Sequence, residues 1–164
     1  MKNTFRSARG LAQSTAIAAL YVVLTVAFAP ISFGPVQFRI SEALTILPLF
    51  TASAVPGLFI GCFLANLLGG AVALDIVFGS LATLIGAWLG YRLRFNRWLV
   101  PVPTVVANAL IIPLVLKFGY GVDLPYLVQA GYIAVGEILG CYVLGELLAA
   151  VLGRHNGELF RDGN

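Results

Sequence analysis

Apolar residues run along this chain in long blocks, and polar residues and helix breakers cluster where the blocks end. Blocks over about 11–29, 41–54, 58–68, 74–91, 98–116 and 124–152 each predict a helix. Pro30 ends the first, because proline lacks the amide that a helix interior uses. Gly34 and Pro35 mark a turn-rich link to the second block. Pro56-Gly57 predicts a tight turn before the third, and Gly69-Gly70 a break after it. The stretch 153–164 is polar, and the chain shows neither an internal repeat nor a low-complexity tract. Lys2, Arg6 and Arg9 precede the first block, and Ala27-Phe28-Ala29 imitates a signal-peptidase site. At about twenty residues this block is long for a cleaved leader and right for a membrane helix, so it is expected to be the first span.

Composition settles what kind of helices these are. Of 164 residues, 60% are hydrophobic and only 10% charged, with a mean hydropathy of +0.96. Soluble domains carry roughly 25% charged residues. The expectation is a single all-α integral membrane domain over 1–164. Six transmembrane helices would lie between tails 1–10 and 153–164. Placing the N-terminus inside puts Lys2, Arg6, Arg9, Arg92, Arg94, Arg97, Arg154 and Arg161 on the cytoplasmic side, against Arg39 and Lys117 outside. That asymmetry predicts cytoplasmic termini. The net charge of +3 thus reports topology rather than nucleic-acid binding. The second and third blocks, at about fourteen residues and 1.5 Å each, reach only roughly 20 Å of a hydrocarbon core of about 30 Å. Their outer ends should therefore sit within the membrane, with 31–38 and 69–73 folded over an outward-facing pocket.

Ionisable groups in such a chain are costly and default to a functional reading. Arg39 and Glu42 open the second block, where Ser41 is placed to cap a helix. Asn66 lies near the outer end of the third block and Asp75 opens the fourth. Asn108 and Glu137 fall near the middles of the fifth and sixth, and only Glu146 lies in the cytoplasmic half. Tyr126 precedes Glu137 by three helical turns and shares its face. Each has a plainer account: an interfacial Arg39–Glu42 pair, asparagines that join helices, Asp75 as a cap, Tyr126 in an interfacial belt. Glu137 is harder to explain without a role, since it must be protonated, paired with Arg39 or Lys117, or used for a ligand. Several carboxylates, two amides and one arginine suit a ligand that is cationic or rich in hydrogen-bond donors.

Small residues recur at helix-packing spacing in Gly57/Gly61, Gly86/Gly90 and Gly136/Gly140. The series Ala8/Ala12/Ala16 begins in the basic tail and makes a smooth stripe on which another protein's helices could dock. The two lysines, Lys2 and Lys117, do not follow a phosphate-loop pattern, so the chain hydrolyses no nucleotide. His155 is the sole histidine and lies in the tail, while Cys62 and Cys141 read as small hydrophobes. No metal site, disulfide, cofactor or catalytic chemistry is expected.

The blocks Phe38-Arg39-Ile40-Ser41-Glu42-Ala43-Leu44, Gly61-Cys62-Phe63-Leu64-Ala65-Asn66-Leu67-Leu68-Gly69-Gly70 and Asp75-Ile76-Val77-Phe78-Gly79-Ser80-Leu81-Ala82-Thr83 carry a resemblance. Pro103-Thr104-Val105-Val106-Ala107-Asn108-Ala109 and Gly136-Glu137 extend it. Over nearly its whole length the chain resembles the substrate-binding (S) components of energy-coupling factor (ECF) transporters, specifically the queuosine-precursor (QueT) group. The resemblance implies a six-helix protein of the bacterial cell membrane that captures a micronutrient at the outer face. It also implies a transmembrane coupling subunit, docked through the alanine stripe, and two cytoplasmic ATPase subunits. The implied ligand is a 7-deazaguanine, either the aminomethyl precursor of queuosine or queuine. A carboxylate can accept the two adjacent donors of a guanine-type edge, an amide or Arg39 can serve its carbonyl, and a second carboxylate can hold the aminomethyl cation. Substrate-site candidates are thus Arg39, Glu42, Asn66, Asp75, Asn108, Tyr126 and Glu137. The rival readings are an S component for riboflavin, thiamin or biotin, and a self-sufficient proton-coupled transporter or membrane enzyme using Asp75 and Glu137.

Overall fold

The computed structural model describes residues 7–33 and 38–154, and every regular element among them is helical. Lys2, Arg6, Gly34, Pro35, His155 and Arg161 lie outside the described residues. Helix α1 spans Ala8–Ala27, begun by Ser7, whose side chain accepts from the Gly10 amide at 3.0 Å. A short helical turn, Ala29–Ser32, follows with Pro30 in its first residues, where a missing amide does no harm. Helices α3 (Ala54–Leu68), α4 (Ala73–Arg92) and α5 (Val102–Gly119) come next around α2 (Ile40–Leu49). A 3₁₀ turn at Arg97–Leu99 precedes α5. The last helix, α6 (Tyr126–Gly153), is α-helical over Tyr126–Glu137 and Gly145–Gly153, with a π-helical stretch at Ile138–Leu144 between them.

Three local expectations are corrected. Pro56-Gly57 is no turn: both residues sit in the first turn of α3, where proline is tolerated, and the chain reverses at 50–53 instead. Ser41 is not a cap. Arg39 precedes the helix with extended backbone, and the Ser41 hydroxyl instead meets Thr25 Oγ1 at 2.7 Å. Asp75 lies in the first turn of α4 rather than before it, the preceding position being Val72. Gly69-Gly70 does end α3, and the physical reason is plain. Gly70 has φ 73°, the Gly70 amide bonds to the Leu67 carbonyl, and the Ala71 amide bonds to the Asn66 carbonyl at 2.9 Å. This is the glycine-terminated 6→1 and 5→2 pattern, and it turns the chain straight into α4.

Helix α2 (Ile40–Leu49) is a 3₁₀ helix of ten residues, with Pro48 inside it. Runs beyond three or four residues are uncommon because their hydrogen bonds are poorly aligned. Tertiary packing sustains this one. Every side chain from Ser41 to Pro48 is buried, and α1, α3, α4 and α6 all touch the segment. Leu44 and Leu47 join Ile17, Tyr21, Leu58 and Cys62 in the main apolar core.

Around this rod the outer helices pack in sequence, α1 on α3, α3 on α4, α4 on α5 and α5 on α6. Glycine sets the closest approaches. A Cβ at Gly57 would lie 2.8 Å from the Ser14 carbonyl oxygen, and one at Gly61 2.7 Å from Tyr21 Cβ. A Cβ at Gly86 would lie 2.6 Å from Thr104 Cα, so α4 and α5 meet nearly backbone to backbone. The expected glycine spacing thus marks real crossings.

The outside is apolar. Leu11, Val23, Leu68, Leu114, Leu127 and Leu147 are all exposed. Four helices, Ala8–Ala27, Ala73–Arg92, Arg97–Gly119 and Tyr126–Gly153, are long and apolar enough to cross a membrane. Helices α2 and α3 are apolar but shorter, as expected of the second and third blocks.

Candidate functional site

Six of the sequence candidates converge in the interior. Arg39, Glu42, Asn66, Asp75, Asn108 and Glu137 are all 5% exposed or less, although they come from five different helices or helix starts. The start of α2 explains one juxtaposition. Arg39 stands immediately before the helix with extended backbone and Glu42 lies in its first turn, so both leave the same end of the rod. Arg39 reaches toward α3 and α4. Its Nη2 lies 3.7 Å from Asp75 Oδ2, its Nη1 is 3.9 Å from Cys62 Sγ, and its Nε donates to the Ser32 carbonyl at 3.4 Å. The Phe33 ring covers the guanidinium at 5.4 Å. Of the partners weighed for Glu137, then, Arg39 is engaged by Asp75.

Around Asp75 the contacts are close. Asn66 Nδ2 donates to the Asp75 carbonyl at 3.2 Å, and the Tyr120 hydroxyl donates to Asp75 Oδ2 at 2.9 Å. Tyr120 lies beyond the end of α5. Burial first, and the Asp75 carboxylate second, push its hydroxyl up to about 12, so it remains a donor at ordinary pH. Gly79 makes room for this arrangement, since a Cβ there would stand 2.7 Å from Asp75 Oδ1 and 3.2 Å from Asn66 Nδ2.

The second half of the cluster joins α1, α2, α5 and α6. Tyr21 donates to Glu42 Oε1 at 2.5 Å, Asn108 Nδ2 to Glu137 Oε1 at 2.8 Å, and Cys141 Sγ to Glu137 Oε2 at 3.3 Å. Helix α6 approaches α2 closely here. A Cβ at Gly140, in the π-helical stretch, would be 3.0 Å from the Arg39 carbonyl oxygen and 3.1 Å from Glu42 Cβ. Insertion of π geometry beside a functional residue is a recurrent device.

Four polar atoms in this interior are buried without a hydrogen-bond partner among the described residues: Arg39 Nη2, Glu42 Oε2, Asn66 Oδ1 and Asp75 Oδ1. Buried polar atoms are normally satisfied, so four in one cluster call for an explanation. A small ligand carrying both donors and acceptors would supply one.

Other candidates stand apart. Tyr126 is half-exposed and donates to the Leu110 carbonyl at 2.9 Å, away from the carboxylates. Glu146 binds Arg97 at the other end of α6. Ala8, Ala12 and Ala16 are exposed along α1. Sequence reasoning missed Tyr21, Cys62, Tyr120, Cys141 and Gly79. Tyrosine, cysteine and glycine are ordinary in apolar spans, and only the fold shows what these touch.

A sheath of apolar helices around a charged, enclosed interior defines a polytopic membrane protein that handles a polar solute. Comparison with known proteins narrows this class. The sequence pattern of the QueT transporter family matches residues 11–154, and the chain belongs to that family of transporters rather than to an enzyme family. The chain is also 29% identical, over 151 residues, to the queuosine precursor transporter QueT of Lactococcus lactis subsp. cremoris, covering 84% of this chain and 88% of the relative. No solved structure matches it.

Proposed function

We propose that this protein is the substrate-binding component of an ECF-type importer and captures a queuosine precursor, a 7-deazaguanine base, at the outer face of the bacterial cell membrane. The observation that carries the reading is the enclosed set Arg39, Glu42, Asn66, Asp75, Asn108 and Glu137 in a member of the QueT transporter family. Asp75 Oδ1 and Asn66 Oδ1, without hydrogen-bond partners among the described residues, suit the adjacent N–H donors of a guanine-type edge, and the Arg39 guanidinium, ion-paired with Asp75, still has a nitrogen without a hydrogen bond that suits a carbonyl. The similarity to a queuosine precursor transporter supports the same ligand class.

Six spans with both ends inside fit the charge distribution. Arg92, Arg94 and Arg97 in the α4–α5 link and Arg154 after α6 make one end of the molecule basic. The polar cluster lies toward the opposite end, beside the links that follow Leu68 and Gly119. Transmembrane coupling and ATPase subunits would supply the energy, and the exposed Ala8, Ala12 and Ala16 face would dock them. Two measurements test this. Solvent extraction of the purified protein followed by mass spectrometry should release a 7-deazaguanine, and uptake should require the ATPase partners. A different vitamin in the extract would overturn the ligand, and uptake without ATPases would overturn the coupling.

A further inference from the structure

One carboxylate oxygen of Glu42, one of Glu137 and the Cys141 sulfur lie within 4.8 Å of one another. Both carboxylates are buried, at 1% and 5% exposure. Their hydrogen bonds come from neutral groups: Tyr21 to Glu42, and Asn108 and Cys141 to Glu137. Among the described residues neither carboxylate forms an ion pair, because the guanidinium of Arg39 pairs with Asp75 instead. Among the described residues Glu42 Oε2 has no hydrogen-bond partner. One guanidinium therefore faces three carboxyl groups, and the two that it does not pair with, Glu42 and Glu137, stand side by side. Two carboxylates so close and so poorly hydrated repel when both are ionised, and a cation between them removes the repulsion.

Resting on the reading above, we propose that Glu42 and Glu137 jointly bind the ammonium group of a cationic ligand, so that the protein selects amine-bearing bases over neutral ones. An ammonium offers three tetrahedral N–H donors and no acceptor. With each N–H···O contact near 2.8 Å, two acceptors bridged by one nitrogen stand about 4.6 Å apart, and the Glu42 and Glu137 oxygens are no further apart than 4.8 Å. A metal fits less well. Cys141 Sγ lies 3.3 Å from Glu137 Oε2, a contact that suits a thiol and would be repulsive for the thiolate that a metal takes. Among 7-deazaguanines the aminomethyl base carries such a nitrogen and queuine, a secondary amine, carries a cation with two N–H donors, whereas a nitrile-bearing or unsubstituted base carries neither. This assigns the two carboxylates to the substituent and leaves Asp75, Asn66 and Arg39 for the base.

The test is titration of the purified protein with the aminomethyl base, its nitrile counterpart and guanine. Loss of one charge-assisted contact corresponds to roughly ten- to a hundredfold in affinity. Wild type should therefore prefer the aminomethyl base to the nitrile by at least about tenfold. Glu42→Gln and Glu137→Gln should each collapse that preference while affinity for guanine holds. Glu146→Gln, whose carboxylate binds Arg97 elsewhere, should retain it. Equal wild-type affinity for aminomethyl and nitrile bases would overturn the ammonium site and leave the transport reading standing, a result that needs no variant to fold. Failure of every base to bind would instead sink the ligand class itself. Manganese or zinc alone binding to wild type, and lost in Glu42→Gln, would make the pair a metal site and overturn the proposal.

Discussion

Tyr21 is fully buried in the middle of α1, and its hydroxyl donates to the Glu42 carboxylate. Replacing it with phenylalanine keeps the ring but leaves a buried carboxylate without that bond. Tyr21→Phe should cost about 1–3 kcal/mol, read as a lower thermal midpoint of the ligand-free protein in detergent. An unchanged midpoint would mean that Glu42 draws its donor from elsewhere. Gly79→Ala acts on the other half of the cluster, since its methyl would press on Asp75 Oδ1 and Asn66 Nδ2. Binding of a guanine-type base should weaken roughly tenfold, the loss of one good hydrogen bond, with the protein still folded. Residues of this sort divide by legibility. Arg39, Glu42, Asp75 and Glu137 stand out in the sequence because charge is expensive in an apolar chain. Tyr21, Tyr120 and Cys141 do not, because nothing about their type is unusual there and their roles come only from distant neighbours.

Helices show the same division for a different reason. The blocks are legible because apolar length is, but their limits are less so: the second helix stops at Leu49 where 54 is expected, the third starts at Ala54 instead of 58, and the fifth at Val102, after Pro101, instead of 98. The kind of helix was not legible. Nothing local asks Ile40–Leu49 to be 3₁₀, and the crowding of four neighbours decides it. The π-helical stretch at Ile138–Leu144 is likewise set by the approach of Gly140 to α2. Crossings, by contrast, can be tested glycine by glycine. Gly86→Val forces a branched side chain against Thr104 backbone and should destabilise by about 1–3 kcal/mol, more if α4 and α5 separate. Gly131→Ala, where a Cβ meets nothing within 4 Å, should be neutral or gain up to about 1 kcal/mol from helix propensity. Chemical unfolding of the two variants side by side distinguishes a crossing from an incidental glycine.

For the whole molecule, the proposed docking role of the exposed alanine face assigns it to transport and not to capture. Ala12→Leu and Ala16→Leu lie on α1 away from the carboxylates, so ligand affinity should remain that of wild type while uptake in cells falls to background. Retained uptake would dismiss the face as a docking surface, and lost binding would show that α1 itself had been damaged. The brevity of α2 and α3 has a consequence of its own for how the chain enters a bilayer. Ten and fifteen residues are too few for either to cross comfortably alone, and they are joined by a turn of four residues, 50–53. They therefore go in together or loop back together, and in either case they add an even number of crossings to the four supplied by the long helices. With all four long helices crossing, as the proposed topology has them, parity puts the first and last residues in the same compartment whichever way the hairpin settles. Reporters fused at Met1 and at Asn164 should give one answer between them, and a split answer would mean that one of the four long helices does not cross.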